Sequence, residues 1–321
     1  MAFVIGIDLG ATWLKAALAD RDGHILRKAM VRTRRDREAL ASQLVAIVKG
    51  LLEGLSPSSV AAIGVGAIGP LDLASGAILS PSNLPISRLE VVSLLEEALG
   101  VPTYLLNDCT AACYGEWTFG IGRGLRNIAY VGIGTGIGGG AIVDGHLLLG
   151  EGGNAAEVGH FTVDAQGRLR CGCGSYGHWE AYCSGSGIPR FLRLWLEEEG
   201  MSSTWPRGGQ GLTAKEALEL AKEHSLTGFL EELAKLNAIG LAITSCAFSP
   251  SIITIGGSVA LANPDVAIER PRAYLPKFCF SRVPEVVVTP LGPDATLYGA
   301  IALALRPPRE LLRAQSHTKV G

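Results

Sequence analysis

Charge is sparse in this chain, and neither sign dominates. Charged residues make up 18% of the 321 residues and the formal net charge is -2. That balance builds no polycationic face, so nucleic acid is not an expected partner. Long apolar runs are missing as well. None reaches the roughly 18 residues of a membrane-spanning helix, so no membrane association is expected. The opening MAFVIGIDLG lacks the basic segment of a signal peptide and reads as a first strand. Cysteine is too thinly and unevenly spread for a disulfide framework. The seven are Cys109, Cys113, Cys171, Cys173, Cys183, Cys246 and Cys279, an odd set that fits a reducing cytosol and predicts a cytoplasmic protein. Hydrophobic residues, at 48%, are enough for a sizeable core, and the length suits two domains or one large one. Glycine is the residue in plenty. Its 42 copies concentrate at 132–140, 150–153 and 172–177, where backbone turns sharply or approaches something closely.

The hydrophobic pattern alternates between strand and helix. Residues 3–9 read as a strand, with 14–19 as its hairpin partner and a turn at DRDG, 20–23. A helix is expected over 38–53, a buried strand entering a glycine turn over 61–69, a helix over 91–99, and a strand over 101–108 ending at a carboxylate. The pattern restarts at 127–150 with strand, glycine turn, strand and an Asp-Gly turn. Two related halves around a cleft would explain that repetition. Helices are expected at 213–223 and 228–246. Strand, glycine turn and helix start follow at 251–260, a strand-loop unit at 283–292, and a small-residue helix at 294–305. Residues 206–211 read as a surface loop, and the tail beyond Pro307 as frayed. This is α/β grammar.

Three glycine turns are candidates for holding phosphate or nucleoside. In the first, Asp8 closes a strand and Gly10, Ala11, Thr12 and Lys15 follow. Glycine admits a phosphate close to the backbone, the Thr12 hydroxyl donates to it, Lys15 adds positive charge, and Asp8 can hold magnesium through water. A tight hairpin would produce the same string. The second is GIGTGIGGG, 132–140, with Gly134, Thr135 and Gly136 at its turn. No Lys-Ser/Thr pair follows, so it is not a P-loop, and residues 141–143 continue as strand rather than as a dinucleotide-binding helix. The bland reading is a flexible hairpin. Third is IGGSVA, 255–260, where Gly256 and Gly257 either lie against a nucleoside or make an ordinary strand-to-helix turn.

For an acceptor, Asp108 at a strand end can take a proton from an alcohol, and Asn107 and Asn83 can both donate to and accept from hydroxyls. Asp108 can equally be a helix cap. Glu157, His160 and Glu180 add groups suited to a polyhydroxylated ring. The densest constellation is EVGH at 157–160 followed by CGCGSYGHWE at 171–180. It offers His160, Cys171, Cys173 and His178 as a structural zinc set, in which one nitrogen of His160 binds the metal while the other faces a ligand. A metal-free glycine turn is the alternative.

Taken in order, DLGATWLK, GAIGPL, SNLP, LLNDCTAA, GIGTGIGG, GEGGNAAEVGHF, CGCGSYGHWEAYCSG and IGGSV resemble the ROK family of sugar kinases and sugar-responsive repressors. The resemblance runs through nearly the whole chain. It implies an actin-like, ribonuclease-H-like α/β fold with two domains flanking a deep cleft. These would be a small domain of residues 1–115, completed by the helix at 294–306, and a large domain of 116–293. It also implies transfer of the ATP γ-phosphate to a hexose with magnesium. Asp108 would be the general base and Asp8 would act in the magnesium–phosphate region. Thr12 and Thr135 would touch phosphate. Asn83, Asn107, Asp108, Glu157, His160 and Glu180 would contact sugar, Gly66, Gly69 and Pro70 would shape the wall, and Gly256 and Gly257 would lie at the nucleotide. A homodimer is the implied assembly. Because the first phosphate loop starts at residue 8, no room is left ahead of it for the winged helix of the repressors, which favours an enzyme over a regulator. Glucose is the expected acceptor. An N-acetylhexosamine kinase or a fructokinase is the enzyme alternative, and a sugar-binding regulator or a polymerising ATPase the non-kinase one. The chain departs from the family's usual CxCGxxGCxE in one ligand, carrying His178 where the last cysteine belongs.

Overall fold

The computed structural model describes residues 2–81, 83–201, 211–280 and 282–316. It is an α/β fold with mixed sheets and flanking helices. The chain divides into two compact units. Met1–Arg126, Gly140–Ala156 and Asp294–Gly321 form one, and Asn127–Gly139 with Glu157–Pro293 form the other. Among the described residues no helix is long and apolar enough to cross a membrane.

The first unit opens with antiparallel strands β1 (Phe3–Leu9), β2 (Trp13–Ala19) and β3 (Ile25–Arg32). Helix α1 (Arg37–Leu51) starts where the Asp36 side chain accepts the amides of Glu38 and Ala39, satisfying donors that a helix start otherwise leaves open. β4 (Val60–Ala67) returns parallel to β1. A small antiparallel sheet of β5 (Leu71–Asp72), β6 (Ala77–Leu79) and β7 (Arg88–Leu89) follows. Then α2 (Val91–Leu99) leads to β8 (Thr103–Asn107), parallel to β4, and α3 (Asp108–Thr118) leaves directly from its end. The sheet order is β3-β2-β1-β4-β8.

A second sheet, β11-β10-β9-β12-β13, joins β9 (Ile128–Ile133), β10 (Ile137–Val143), β11 (His146–Leu147), β12 (Ile252–Gly256) and β13 (Glu285–Val288). β12 runs parallel to both β9 and β13. In the second unit α4 (Trp179–Cys183), α5 (Gly187–Glu198), α6 (Ala214–Glu223) and α7 (Thr227–Phe248) precede β12. The short helices α8 (Ser258–Ala262), α9 (Arg270–Arg272) and α10 (Leu275–Phe278) follow it. The core of this unit gathers Trp179, Tyr182, Phe191 and Phe229, all fully buried, and the Trp179 indole N–H donates to Asn237 Oδ1 at 2.8 Å. A buried indole needs that partner.

The last helices, α11 (Ala295–Leu305) and α12 (Arg309–Ser316), return to the first unit. α11 presses on β1, β4 and α3. Its small residues are what permit this. A Cβ on Gly64 of β4 would stand 2.0 Å from the Ala300 carbonyl oxygen, so the strand needs glycine there.

DRDG turns as expected, but the Asp20–Gly23 turn leads into β3, which the pattern did not announce; the β1–β2 hairpin itself turns at residues 10–12. β3 lies at the sheet edge with no residue fully buried, so it carries no alternation. Beyond Pro307 the described residues do not fray: Arg309–Ser316 form α12, anchored by fully buried Leu311 and by the 2.8 Å pair of His146 Nδ1 with Glu310 Oε1. Helix α5 was also unannounced. The loop expected at 206–211 lies, apart from Gly211, outside the described residues.

Candidate functional site

The first glycine turn is held from β3. The Gly10 amide donates to the Trp13 carbonyl at 3.1 Å, the Thr33 hydroxyl to the Gly10 carbonyl at 2.7 Å, and the Thr33 amide to the Thr12 carbonyl at 3.1 Å. Thr12 is left at the surface. Asp8 and Lys15 are cross-strand partners, and their side chains meet at 3.1 Å. Burial pushes the Asp8 carboxyl above its ordinary value, and the Lys15 ammonium opposes that without cancelling it. The raised value marks a carboxylate that would gain from a further cation, which fits the metal role given to it.

At the same, C-terminal end of the parallel strands, on the edge strand β8, Asn107 takes the cap. Its Oδ1 accepts the amides of Cys109 and Thr110 at 2.9 and 3.3 Å, so capping does not require Asp108. Asp108 is the first residue of α3. Its Oδ1 accepts the Cys109 amide at 2.8 Å, and its carbonyl accepts the Thr296 hydroxyl at 3.2 Å. The Asn107 amide nitrogen lies toward Gly69, and Gly66 is buried beneath. Asn83 is exposed in the loop between β6 and β7. Asn154 was not singled out by the sequence. It pairs with the Leu71 backbone like a strand, accepting its amide at 2.8 Å and donating to its carbonyl at 2.9 Å, and so fixes the wall at Gly69 and Pro70.

In the second unit, the Gly134 and Thr135 carbonyls are tied to the amides of Gly185 and Ser186 at 2.7 and 3.1 Å, leaving Thr135 exposed. Gly134 also lies beside Ser258, where α8 begins after Gly256 and Gly257. The second and third glycine turns are thus neighbours within one unit. The Ser184–Ser186 support was missed because a serine buttress leaves no spacing signal. Gly136 packs on Glu180, whose Oε2 accepts the Ile137 amide at 2.8 Å. This bond spends one Glu180 oxygen on the loop.

The His/Cys set converges. One ligand atom each from His160, Cys171, Cys173 and His178 lies within 4.8 Å of the others. His160 Nδ1 is 3.3 Å from His178 Nδ1 and 3.8 Å from Cys171 Sγ, and Cys173 Sγ is 3.3 Å from His178 Nδ1. Tetrahedral zinc with ordinary Zn–N and Zn–S bonds has ligand–ligand edges of about 3.3–3.8 Å, so the four residues fit the metal. His160 Nε2 points the other way, 4.0 Å from Glu157 Oε2. Desolvation raises the Glu157 carboxyl; His160 lowers it and Glu180 raises it further. Cys171 is buried, which pushes its thiol up to about 11 when no metal is bound.

A family model described as the ROK family matches residues 4–307. The chain belongs to the ROK family. A glucokinase of Pyrobaculum calidifontis is 35% identical over 97% of this chain and 98% of its own. Among solved structures, a ROK family glucokinase from Streptomyces griseus, in complex with glucose and AMPPNP, is 30% identical. It superposes with a TM-score of 0.76 over 94% of this chain and 99% of that one. A ROK hexokinase from Thermus thermophilus is 31% identical, with a TM-score of 0.75 over 94% and 97%. ROK membership gathers the scattered motifs into one scheme. The glycine turns, the strand-end aspartate and the His/Cys loop all lie inside the matched residues.

Proposed function

We propose that this ROK-family sugar kinase transfers the γ-phosphate of ATP to the 6-hydroxyl of glucose. The observation that carries the reading is its likeness, over nearly the full length of both chains, to the glucokinase solved with glucose and AMPPNP. In this scheme Asp108 orients the 6-hydroxyl and accepts its proton as the phosphoryl group leaves. The Asn107 amide donates to a neighbouring hydroxyl, since its oxygen is committed to the cap. Asn83, Glu157, Glu180 and His160 Nε2 bind the remaining hydroxyls, with Gly66 in the wall. Thr12, Lys15 and the Gly10 turn hold the transferred phosphate. Gly134, Thr135, Gly136, Gly256 and Gly257 line the nucleotide.

Magnesium, held near Asp8, would neutralise charge on the triphosphate. Zinc on His160, Cys171, Cys173 and His178 would be structural, since all four positions are taken by protein; it fixes the ring whose Nε2 faces sugar. None of the seven cysteines is in a disulfide, which is in keeping with the cytoplasmic setting of this reading. The working assembly is a homodimer.

Sugar-dependent ADP production across glucose, mannose, fructose, glucosamine and N-acetylated hexosamines, under one ATP concentration, tests the acceptor. A clear preference for an N-acetylated sugar or fructose would replace glucose, and no turnover with any sugar would leave a binding protein. Asp108→Asn is expected to keep glucose binding and lose about 10²–10⁴-fold in kcat. A near-normal kcat would remove Asp108 as base.

A further inference from the structure

Asp294 stands at the start of α11, where an aspartate ordinarily caps the helix, yet its side chain makes no capping bond. It turns to two lysines instead. Its Oδ1 lies 3.8 Å from Lys15 Nζ and its Oδ2 2.5 Å from Lys28 Nζ. With the 3.1 Å contact between Lys15 and Asp8, the four residues form a line of alternating charge, Asp8, Lys15, Asp294, Lys28. Strand register puts them together. Asp8 opposes Lys15, and Ala17, two residues along β2 on the same face, opposes Lys28. Gly6 shares that face, and a Cβ there would meet Ile301 of α11, so this is the face on which the helix lies. The side chains of Asp8, Lys15 and Asp294 are 14%, 15% and 22% exposed, too covered for solvent to screen them fully.

From this arrangement we infer that Asp294 is a positioning residue for the phosphate donor: it holds the Lys15 ammonium in place, with Lys28 as its counter-charge. The inference rests on the reading of Lys15 as a phosphate ligand. A lysine is a flexible point charge and needs a fixed partner to meet a phosphate repeatedly in one place. Asp8 cannot be that partner throughout, because its oxygens are the ones proposed to serve magnesium. Asp294 remains. Left alone it would add a full negative charge beside the triphosphate, and Lys28 offsets that charge.

The sign of one measurement separates positioning from simple charge. Removing a carboxylate near a polyanion should tighten ATP binding if Asp294 acts only through its charge. If it positions Lys15, Asp294→Asn weakens ATP binding about three- to tenfold in calorimetry on the full chain without sugar. It also raises KM for ATP while leaving KM for glucose and kcat at saturating ATP within about twofold. In a Lys15→Met background the same substitution has no further effect on ATP affinity. Tighter or unchanged binding, equal changes in both KM values, or additivity with Lys15→Met overturns the inference. If Asp294→Asn does not fold, Lys28→Met carries the test. Weaker ATP binding that vanishes in the Lys15→Met background supports the inference, and unchanged binding overturns it. Should Lys15→Met itself leave ATP affinity untouched, the donor-site reading falls and this inference with it. Sensitivity to Lys15→Met without sensitivity to Asp294→Asn removes this inference alone.

Discussion

His178 offers the sharpest test of the second unit, because it is the proposed zinc ligand that stands where the ROK resemblance leads one to expect cysteine. The perturbation is His178→Ala. In the folded chain His178 Nδ1 lies 3.3 Å from both His160 Nδ1 and Cys173 Sγ, so it supplies two of the edges of the expected tetrahedron. Loss of a residue that merely supports a zinc ligand costs up to about 100-fold in affinity, and loss of a ligand should cost at least that. At about 1.4 kcal/mol per tenfold, this is roughly 2.7 kcal/mol or more. Metal that binds only the folded state passes its free energy to stability, so the loss appears as unfolding at lower temperature, by roughly 5–10 °C. The assay is zinc content of purified protein together with thermal melting, before and after chelation. Unaltered protein should hold one zinc and lose stability on chelation. The variant should hold none and melt at the same temperature with or without chelator. His178→Cys should keep the metal. A variant that retains zinc, or an unaltered chain whose melting ignores the chelator, would refute the ligand set.

Zinc affinity should also fall as pH is lowered, because the metal-free Cys171 thiol, with its proton retained up to about 11, must release it on binding; pH-independent affinity would exclude Cys171 as a thiolate ligand. Gly64→Ala should destabilise the first unit by about 3 kcal/mol or more, since the new Cβ would stand 2.0 Å from the Ala300 oxygen; an unchanged melting temperature would mean that β4 and α11 do not meet as described. For Asp164, burial raises the carboxyl but is outweighed by hydrogen bonds from the Tyr182 hydroxyl at 2.6 Å and from Arg168 at 3.0 Å, leaving its pKa below the ordinary value. A folded pKa below the unfolded one gives stability that is present above about pH 4 and lost as pH falls through the lower, folded value. Asp164→Ala should therefore cost about 3 kcal/mol at pH 7 and less as the medium is acidified; a cost independent of pH would contradict the depressed carboxyl.

How much could be read in advance depended on distance along the chain. The His/Cys cluster was legible because its four members lie within nineteen residues, and metal chemistry restricts residue type and spacing together. Asp108 was legible as a carboxylate at a strand end, although β8 closes one residue earlier, at Asn107, and Asp108 opens α3. That Asn107 would take the cap was not, since either residue type caps well and only the backbone angles at the helix start decide. β3 escaped for a different reason. It lies at the sheet edge with no fully buried residue, so burial writes no alternation into it. Nor did the glycine run betray that Gly140–Ala156 belongs with the first unit.

The sequence by itself determined the α/β class, the order of most strands and helices, the three glycine turns, and which residue types could do acid–base, phosphate and metal chemistry. These follow from local rules: side-chain periodicity, turn chemistry and ligand spacing. Tertiary structure decided the partnerships. It brought Asp294 to Lys15, 279 positions apart in chain order. It also tied Asn154 to Leu71 and set Ser186 behind Thr135. Such contacts arise when packed faces exclude water and bring distant polar groups to hydrogen-bond range, and no local pattern encodes which groups those will be.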